Sequence, residues 1–387
     1  MFMDIRLLTN DFCERSQESS FELFQIVAME VEGKRQWSSL IVPSVQELVK
    51  DHENNADVPP RYVRWSDPDK ADEIVDGFGP RPEIPIIDMN RLCSESAMDS
   101  EIQKLDFACR EWGFFQLVNH GIDSCFLDKV KDEIQDFFDL PMEEKRKFWQ
   151  KPSEIEGFGQ AFVVSEDQKL DWSDMFFVTI QPPRSRKPHL FRKLPLPFRD
   201  TLETYSSGVK DIAKLLLAKM AHALKIKPDE MEDLFDDLMQ GMRMNSSPPC
   251  PKPDQVTGIT PHSDAVGLTV LLQVNEVEGL QIKKDGKWVP VKPLPNAFIV
   301  NIGDILEIIT NGTYRSVEHR AMVNHAKERL SVATFHSPGM DTEIGPAKSL
   351  VDRHETAVFR SVTTEDYFKG LFSRELNGKS YLDVMRI

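Results

Sequence analysis

Thr260-Pro261-His262-Ser263-Asp264 is the stretch from which the rest of the chain reads. A second histidine, His319, follows His262 by 57 positions, and Arg329-Leu330-Ser331 begins ten positions after that. On an extended segment, His262 and Asp264 are two apart and share one face. His319 has to arrive from another strand. Two imidazoles and one carboxylate on one face of a six-coordinate Fe(II) leave the opposite face open for a co-substrate and dioxygen. The planar fork of Arg329 can hold a carboxylate, and the Ser331 hydroxyl, two residues along, points to the same side. From Arg243 onward the surrounding sequence has the grammar such a site needs, short apolar runs separated by turns. Leu268–Val274 is one strand, and Gly279–Lys283 and Lys287–Val291 form a hairpin across Asp285-Gly286. Ala297–Asn301, the turn Gly303-Asp304, Tyr314–Glu318 and Leu330–Phe335 complete a pattern that suggests a double-sheet jelly roll.

The H-x-D pair arises by chance, and its force comes from His319 and Arg329-x-Ser331 at suitable spacing. His325 and His336 are rival third ligands. His319 is preferred because it lies in the strand-like run Arg315–Arg320, just upstream of the arginine strand. His120, in the turn Asn119-His120-Gly121, reads as structural. The plain reading of Arg329 is a salt bridge within a sheet. At the end of a barrel strand beside an iron triad, a co-substrate anchor is the better one.

With 387 residues, 40% hydrophobic and 28% charged, the chain has the composition of a globular enzyme. Its net charge of −16 argues against nucleic-acid or anionic-membrane partners. Cys13, Cys93, Cys109, Cys125 and Cys250 are scattered and odd in number, which suits reduced thiols in the cytoplasm. No apolar run is long enough to span a membrane. Residues 1–28 show no signal or transit pattern, and Met29 opens a more orderly stretch.

Toward the N-terminus, Ser44 and Glu47 suggest a capping box on a short helix. Residues 51–82 read as an exposed polar connector, and Ile84–Asp88 as an edge strand. A helix over Ser100–Glu111 ends at Gly113, and Phe114–Val118 is a buried strand. Helices follow at Ser124–Phe138 and from Pro141. Gly157-Phe158-Gly159-Gln160 begins an irregular stretch before the strand Met175–Ile180. Leu202, Tyr205, Val209, Ile212, Leu216 and Met220 make one apolar face of a helix over Thr201–Leu224, read as core against a sheet. Thr363–Phe372 is a terminal amphipathic helix, and Gly378 starts a tail.

With these motifs in place, the chain resembles the plant 2-oxoglutarate- and Fe(II)-dependent dioxygenases, nearly throughout from Ile41 to the C terminus. The resemblance rests on Trp112–Gly121, Glu156–Gln160, Pro248-Pro249-Cys250-Pro251, His262-Ser263-Asp264 and Asn311-Gly312 through His319. It implies an α+β fold, a distorted double-stranded β-helix (jelly roll) with flanking α-helices. It also implies His262, Asp264 and His319 as iron ligands, Arg329 and Ser331 on the distal carboxylate of 2-oxoglutarate, and ascorbate as reductant. Four segments are expected: an extension and connector over 1–80, a helix and strand region over 81–200, the jelly-roll core over 201–345, and a C-terminal helix and tail over 346–387.

One departure stands out. Family members usually carry Asn-Tyr-Tyr-Pro-Pro where this chain has Asn245-Ser246-Ser247-Pro248-Pro249. The second tyrosine is expected to bond the same carboxylate, and Ser247 is several ångströms shorter. Losing one hydrogen bond to a charged group costs roughly 1.5–3 kcal/mol, on the order of ten- to a hundredfold in affinity. Three readings follow: an active monomeric dioxygenase that hydroxylates or O-demethylates a small apolar or aromatic specialised metabolite, an Fe(II) oxidase that does not use 2-oxoglutarate, or a catalytically silent binding relative. Phe162, Phe177 and Phe335 are candidates for an aromatic pocket wall.

Overall fold

Side-chain alternation decides how the barrel strands face. The computed structural model describes residues 40–51, 57–64, 83–151, 154–160, 163, 165–354, 356–373 and 379–387. The readings made for residues 1–28, Met29, Cys13 and Phe162 lie outside them. The strands are β1 (Ile86–Asp88), β2 (Phe114–Val118), β3 (Gly157–Gly159), β4 (Asp174–Gln181), β5 (Met239–Ser247) and β6 (Ile259–His262). There follow β7 (Leu268–Gln273), β8 (Leu280–Lys284), β9 (Lys287–Pro290), β10 (Phe298–Ile302), β11 (His319–Ala321) and β12 (Arg329–Ser337). They form an eight-stranded sheet in the order β1-β2-β10-β7-β12-β5-β4-β3 and a four-stranded sheet in the order β6-β11-β8-β9, the two walls of a jelly roll.

Strand β12 shows how the sequence chooses the faces. Leu330 and Val332 point outward into the main core, while Arg329, Ser331, Ala333 and Phe335 line a cavity between the sheets. A one-residue slip would exchange the two sets, so the buried face pins the register. The outer face is covered by helix α4, numbered with α1 (Val45–Asp51), α2 (Met98–Phe107) and α3 (Ser124–Asp139) before it and spanning Phe198–Leu224. All six of its expected core residues, Leu202 to Met220, are buried. The Asp285-Gly286 hairpin also forms, with φ of 50° and 80°, the left-handed pair that a two-residue turn between twisted strands requires.

Helix α2 runs into a π-helical turn, Ala108–Trp112, closed by Gly113 at φ 62°. A Cβ at Gly113 would lie 2.3 Å from the Arg315 carbonyl oxygen, so only glycine fits there.

Several expectations are corrected. Tyr314–Glu318 is not a strand; pairing starts only at His319. The amide of Tyr314 donates to Thr310 Oγ1 at 3.1 Å and that of Ser316 to Glu307 Oε2 at 2.7 Å. Side chains therefore satisfy this backbone in place of a ladder. Gly303-Asp304 is not merely a turn but opens helix α5 (Asp304–Ile309). Gly157–Gly159 is a strand paired to β4. Beyond helix α6 (Thr364–Phe372), the expected tail contains a further helix, α7 (Ser380–Val384), whose Leu382 is buried in the core. Within the presumed connector, Val58 and Tyr62 are buried with Leu170 and Trp172. Tyr62 and Trp172 meet edge to face, ring centroids 5.2 Å apart.

The cap of α1 is also not the local one expected. The Glu47 amide reaches Ser44 Oγ at only 3.4 Å. Asp174, on β4, accepts from the Val45 and Gln46 amides at 2.9 and 3.0 Å and from Ser44 Oγ at 2.6 Å. A carboxylate at a helix N-terminus meets both its free donors and its positive end.

Candidate metal centre and cavity

Antiparallel pairing of β6 and β11 sets His262 directly opposite His319. Asp264 follows just beyond the end of β6. The three ligand atoms lie within 4.8 Å of one another, with Asp264 Oδ1 3.5 Å from His262 Nε2 and 3.7 Å from His319 Nε2. Ligands around one octahedral ion at about 2.1 Å stand ~3 Å apart, so small side-chain shifts close the set.

The hydrogen bonds behind the ligands fix which atoms face the metal position. His262 Nδ1 donates to the Thr260 carbonyl at 2.7 Å, and His319 Nδ1 to the Val317 carbonyl at 3.1 Å. Both imidazoles therefore present an unprotonated Nε2. The second carboxylate oxygen of Asp264 accepts from Thr269 Oγ1 at 2.6 Å and Asn301 Nδ2 at 2.8 Å. Burial raises the pKa of Asp264, but His319, His262 and Asn301 outweigh it and hold the carboxyl well below its usual range. Burial, with His262 adding to it, pushes His319 down to about 4. Burial also acts on His262, but there Asp264 prevails and the pKa is raised. A buried ionised carboxylate between two imidazoles is the donor set that a non-haem Fe(II) takes.

The rivals are elsewhere. His336 is buried between Gln240 and the Leu268 carbonyl, and His325 is exposed. His120 meets the Asn296 carbonyl at 2.9 Å, a structural contact as expected.

Across the cavity, Arg329 is 2% exposed. It donates to Ser331 Oγ at 3.2 Å and Gln273 Oε1 at 3.3 Å, and its Nε has no partner. No acidic side chain pairs with it among the described residues. Burial alone pulls its pKa down to about 10. A buried cation without a counter-charge costs several kcal/mol, a deficit that a carboxylate ligand removes. A distal carboxylate of 2-oxoglutarate fits that deficit.

The cavity encloses about 540 Å³, its open mouth included, and is lined by the triad, Arg329, Ser331, Asn245 and Arg243 among largely apolar neighbours. Phe335 is one of those neighbours. Phe177 does not line the cavity and packs beside Phe335, ring centroids 6.5 Å apart. Ser247 pairs with Arg329 in the ladder and is buried, but it is not among the lining residues. Its hydroxyl would lie 2.9 Å from a Cβ on Gly258.

Thr269, Asn301, Gln273 and Arg243 were not singled out from the sequence. Each is a polar residue in an apolar strand, which is the signal that marks such positions.

Two family matches cover this architecture. Residues 239–338 match the 2OG-Fe(II) oxygenase superfamily, and residues 84–195 the N-terminal region of non-haem dioxygenases in morphine synthesis. The chain belongs to the 2-oxoglutarate- and Fe(II)-dependent oxygenases. It is 72% identical to Protein SRG1 of Arabidopsis thaliana, over 93% of this chain and 100% of that one. It is 50% identical to codeine O-demethylase of Papaver somniferum, over 90% and 97%. To oxoglutarate-dependent flavonoid 7-O-demethylase 1 of Ocimum basilicum the identity is 54%, over 92% and 94%. The crystal structure of JOX2 in complex with 2OG, Fe and JA superposes with a TM-score of 0.79 at 33% identity, covering 89% of this chain and 98% of that one. The chain is a 2-oxoglutarate-dependent dioxygenase.

Proposed function

We propose that this dioxygenase hydroxylates or oxidatively O-demethylates a small, largely apolar aromatic metabolite. The observation that carries the reading is the cavity itself, with a metal-type triad at one end, an uncompensated buried guanidinium at the other, and apolar side chains between them. That two relatives are named O-demethylases of a flavonoid and an alkaloid supports the choice of reaction.

His262, Asp264 and His319 would hold the iron. Arg329 and Ser331 would hold the distal carboxylate of 2-oxoglutarate, with Asn245 beside them and Ser247 one ladder step further. Bound there, iron and 2-oxoglutarate supply oxidising power from dioxygen, with succinate and carbon dioxide as the co-products. The chain's own residues do the rest. Thr269 and Asn301 fix the carboxylate ligand, and the Thr260 and Val317 carbonyls fix the imidazole tautomers. Leu271, Ile299 and Phe335 keep water away and orient the substrate's C–H bond. When the carbon attacked is a methoxy carbon, the hemiacetal product falls apart to a phenol and formaldehyde.

Cys93, Cys109, Cys125 and Cys250 are unpaired, which fits a cytoplasmic setting, with ascorbate keeping the iron reduced and a monomer as the working unit. Among the described residues no helix is long and apolar enough to cross a membrane. An Fe(II) oxidase that dispenses with 2-oxoglutarate would leave Arg329 uncompensated, which disfavours that alternative.

Incubation with Fe(II), 2-oxoglutarate, ascorbate and 7-methoxyflavone tests the reading. Formaldehyde and a new phenol should appear in step with succinate. Succinate alone across a panel of aromatic methyl ethers, with neither formaldehyde nor a hydroxylated product, would overturn it.

A further inference from the structure

The cavity holds a second guanidinium that the proposed reaction does not use. Arg243, on β5, lines it together with the triad. Its Nε donates to Asn245 Oδ1 at 2.8 Å, and its two terminal nitrogens have no protein partner among the described residues. The carboxylates nearest to it electrostatically are engaged elsewhere. Asp171 pairs with Arg64 at 2.9 Å and accepts from the Thr260 amide at 3.1 Å. Asp264 is taken by His262, His319, Thr269 and Asn301.

The ladder separates this cation from the one already assigned. Ser331 pairs with Asn245, and Ala333 pairs with Arg243. Arg243 therefore enters the cavity one inward step, about 6.6 Å, beyond the level of Ser331. Its flanks are apolar, since Ala333 and Phe177 are its two cross-strand partners and Leu271 faces Ala333. Gly241 allows the Phe177 ring to lie close to β5, because a Cβ there would meet the ring at 2.9 Å. A guanidinium held by one neutral amide between apolar surfaces has a fork open for a planar anion. The two carboxylates of 2-oxoglutarate are already placed, one on Arg329 and the other at the metal.

We infer that Arg243 is a specificity-determining residue that binds an anionic oxygen of the primary substrate, a carboxylate or an acidic phenol on an otherwise apolar aromatic molecule. The inference deepens the proposed function and rests on its placement of 2-oxoglutarate. A ligand pinned by its anionic end to Arg243 would extend toward the triad and present its far carbon there.

The test uses binding, so it stands apart from turnover. The anaerobic Fe(II)–2-oxoglutarate protein is titrated with two matched pairs, 4-methoxycinnamate against its methyl ester and 7-hydroxyflavone against 7-methoxyflavone at pH 8.5, with affinity read by calorimetry. At least one acidic member should bind about tenfold or more tightly than its capped partner, and which pair discriminates tells carboxylate from phenolate. In Arg243→Gln the discrimination should vanish, and in Arg243→Lys it should persist in part. The 2-oxoglutarate midpoint, read by the visible charge-transfer band, should stay within about threefold of wild type in both variants, which also reports that the site is folded. Absence of discrimination in both pairs, including failure of all four to bind, overturns the inference. So does discrimination that survives in Arg243→Gln, or a 2-oxoglutarate midpoint that moves as far as it does in an Arg329 variant. Loss of 7-methoxyflavone demethylation with this binding pattern intact would count against the proposed reaction alone.

Discussion

The two ends of the cavity are both buried and both charged, yet their charge is handled in opposite ways. At the triad end, Asp264 is met by two imidazoles, a hydroxyl and an amide, and its carboxyl is held ionised. At the far end, Arg329 has a hydroxyl and an amide oxygen as partners and no carboxylate. The first end is complete as a ligand set before any metal arrives, because its partners orient every donor. The second is complete only with an anion in place. The protein has built the acceptor for one ion and left the counter-charge of the other to its co-substrate.

Four experiments would break or sharpen that contrast. Asp264→Ala removes the charge that organises the triad. Iron binding and turnover should fall well beyond the ~10–100-fold that losing a supporting hydrogen bond costs a metal site. Retained iron-dependent activity would end the assignment.

Arg329→Met should weaken 2-oxoglutarate about a hundredfold, from the loss of charge-assisted hydrogen bonds. It should also leave the ligand-free protein at least as stable as wild type, since an uncompensated buried cation has gone. A destabilised ligand-free variant would mean that Arg329 is already balanced.

Asp304 is buried behind the triad, and its amide donates to the Asp264 carbonyl. Burial pushes its carboxyl up to about 7 from 3.8. A raised acid pKa means the folded state holds the proton better than the unfolded one. The contribution is therefore fully present below about 4 and lost as pH rises toward 7. Asp304→Asn should accordingly gain about 2 kcal/mol relative to wild type at pH 8, and much less at pH 5. Equal stability differences in urea melts at the two pH values would remove the protonation argument.

The smallest effect expected is that of Ser247→Tyr. A phenol reaching the co-substrate carboxylate should tighten 2-oxoglutarate about tenfold, read from the midpoint of the charge-transfer band. Unchanged affinity would show that Arg329, Ser331 and Gln273 suffice, or that the close wall at Gly258 leaves the ring no path.

Much of this was legible in the chain. The H-x-D pair, His319 and Arg329-x-Ser331 were readable because two-residue spacing on extended backbone sets a common face whatever surrounds it. The covering face of α4 and the Asp-Gly hairpin were readable for the same reason, since period and turn chemistry are local. Where prediction failed, a distant group had taken over a local one. Tyr314–Glu318 has the apolar and β-branched look of a strand, yet Thr310 and Glu307 claim its amides. Residues 57–64 look polar and free, yet Tyr62 against Trp172 buries them.

The sequence by itself determined the strand faces, the turn geometries and the identity of the metal-type donors, because each depends on spacing along one segment. Only the tertiary structure decided which polar residues support them. Asp174 caps a helix 129 residues away, Asn301 holds Asp264 from a neighbouring region of the barrel, and Arg243 is left without a carboxylate partner inside the cavity. Burial and the balance of charge are properties of what folding brings together, and no local pattern records them.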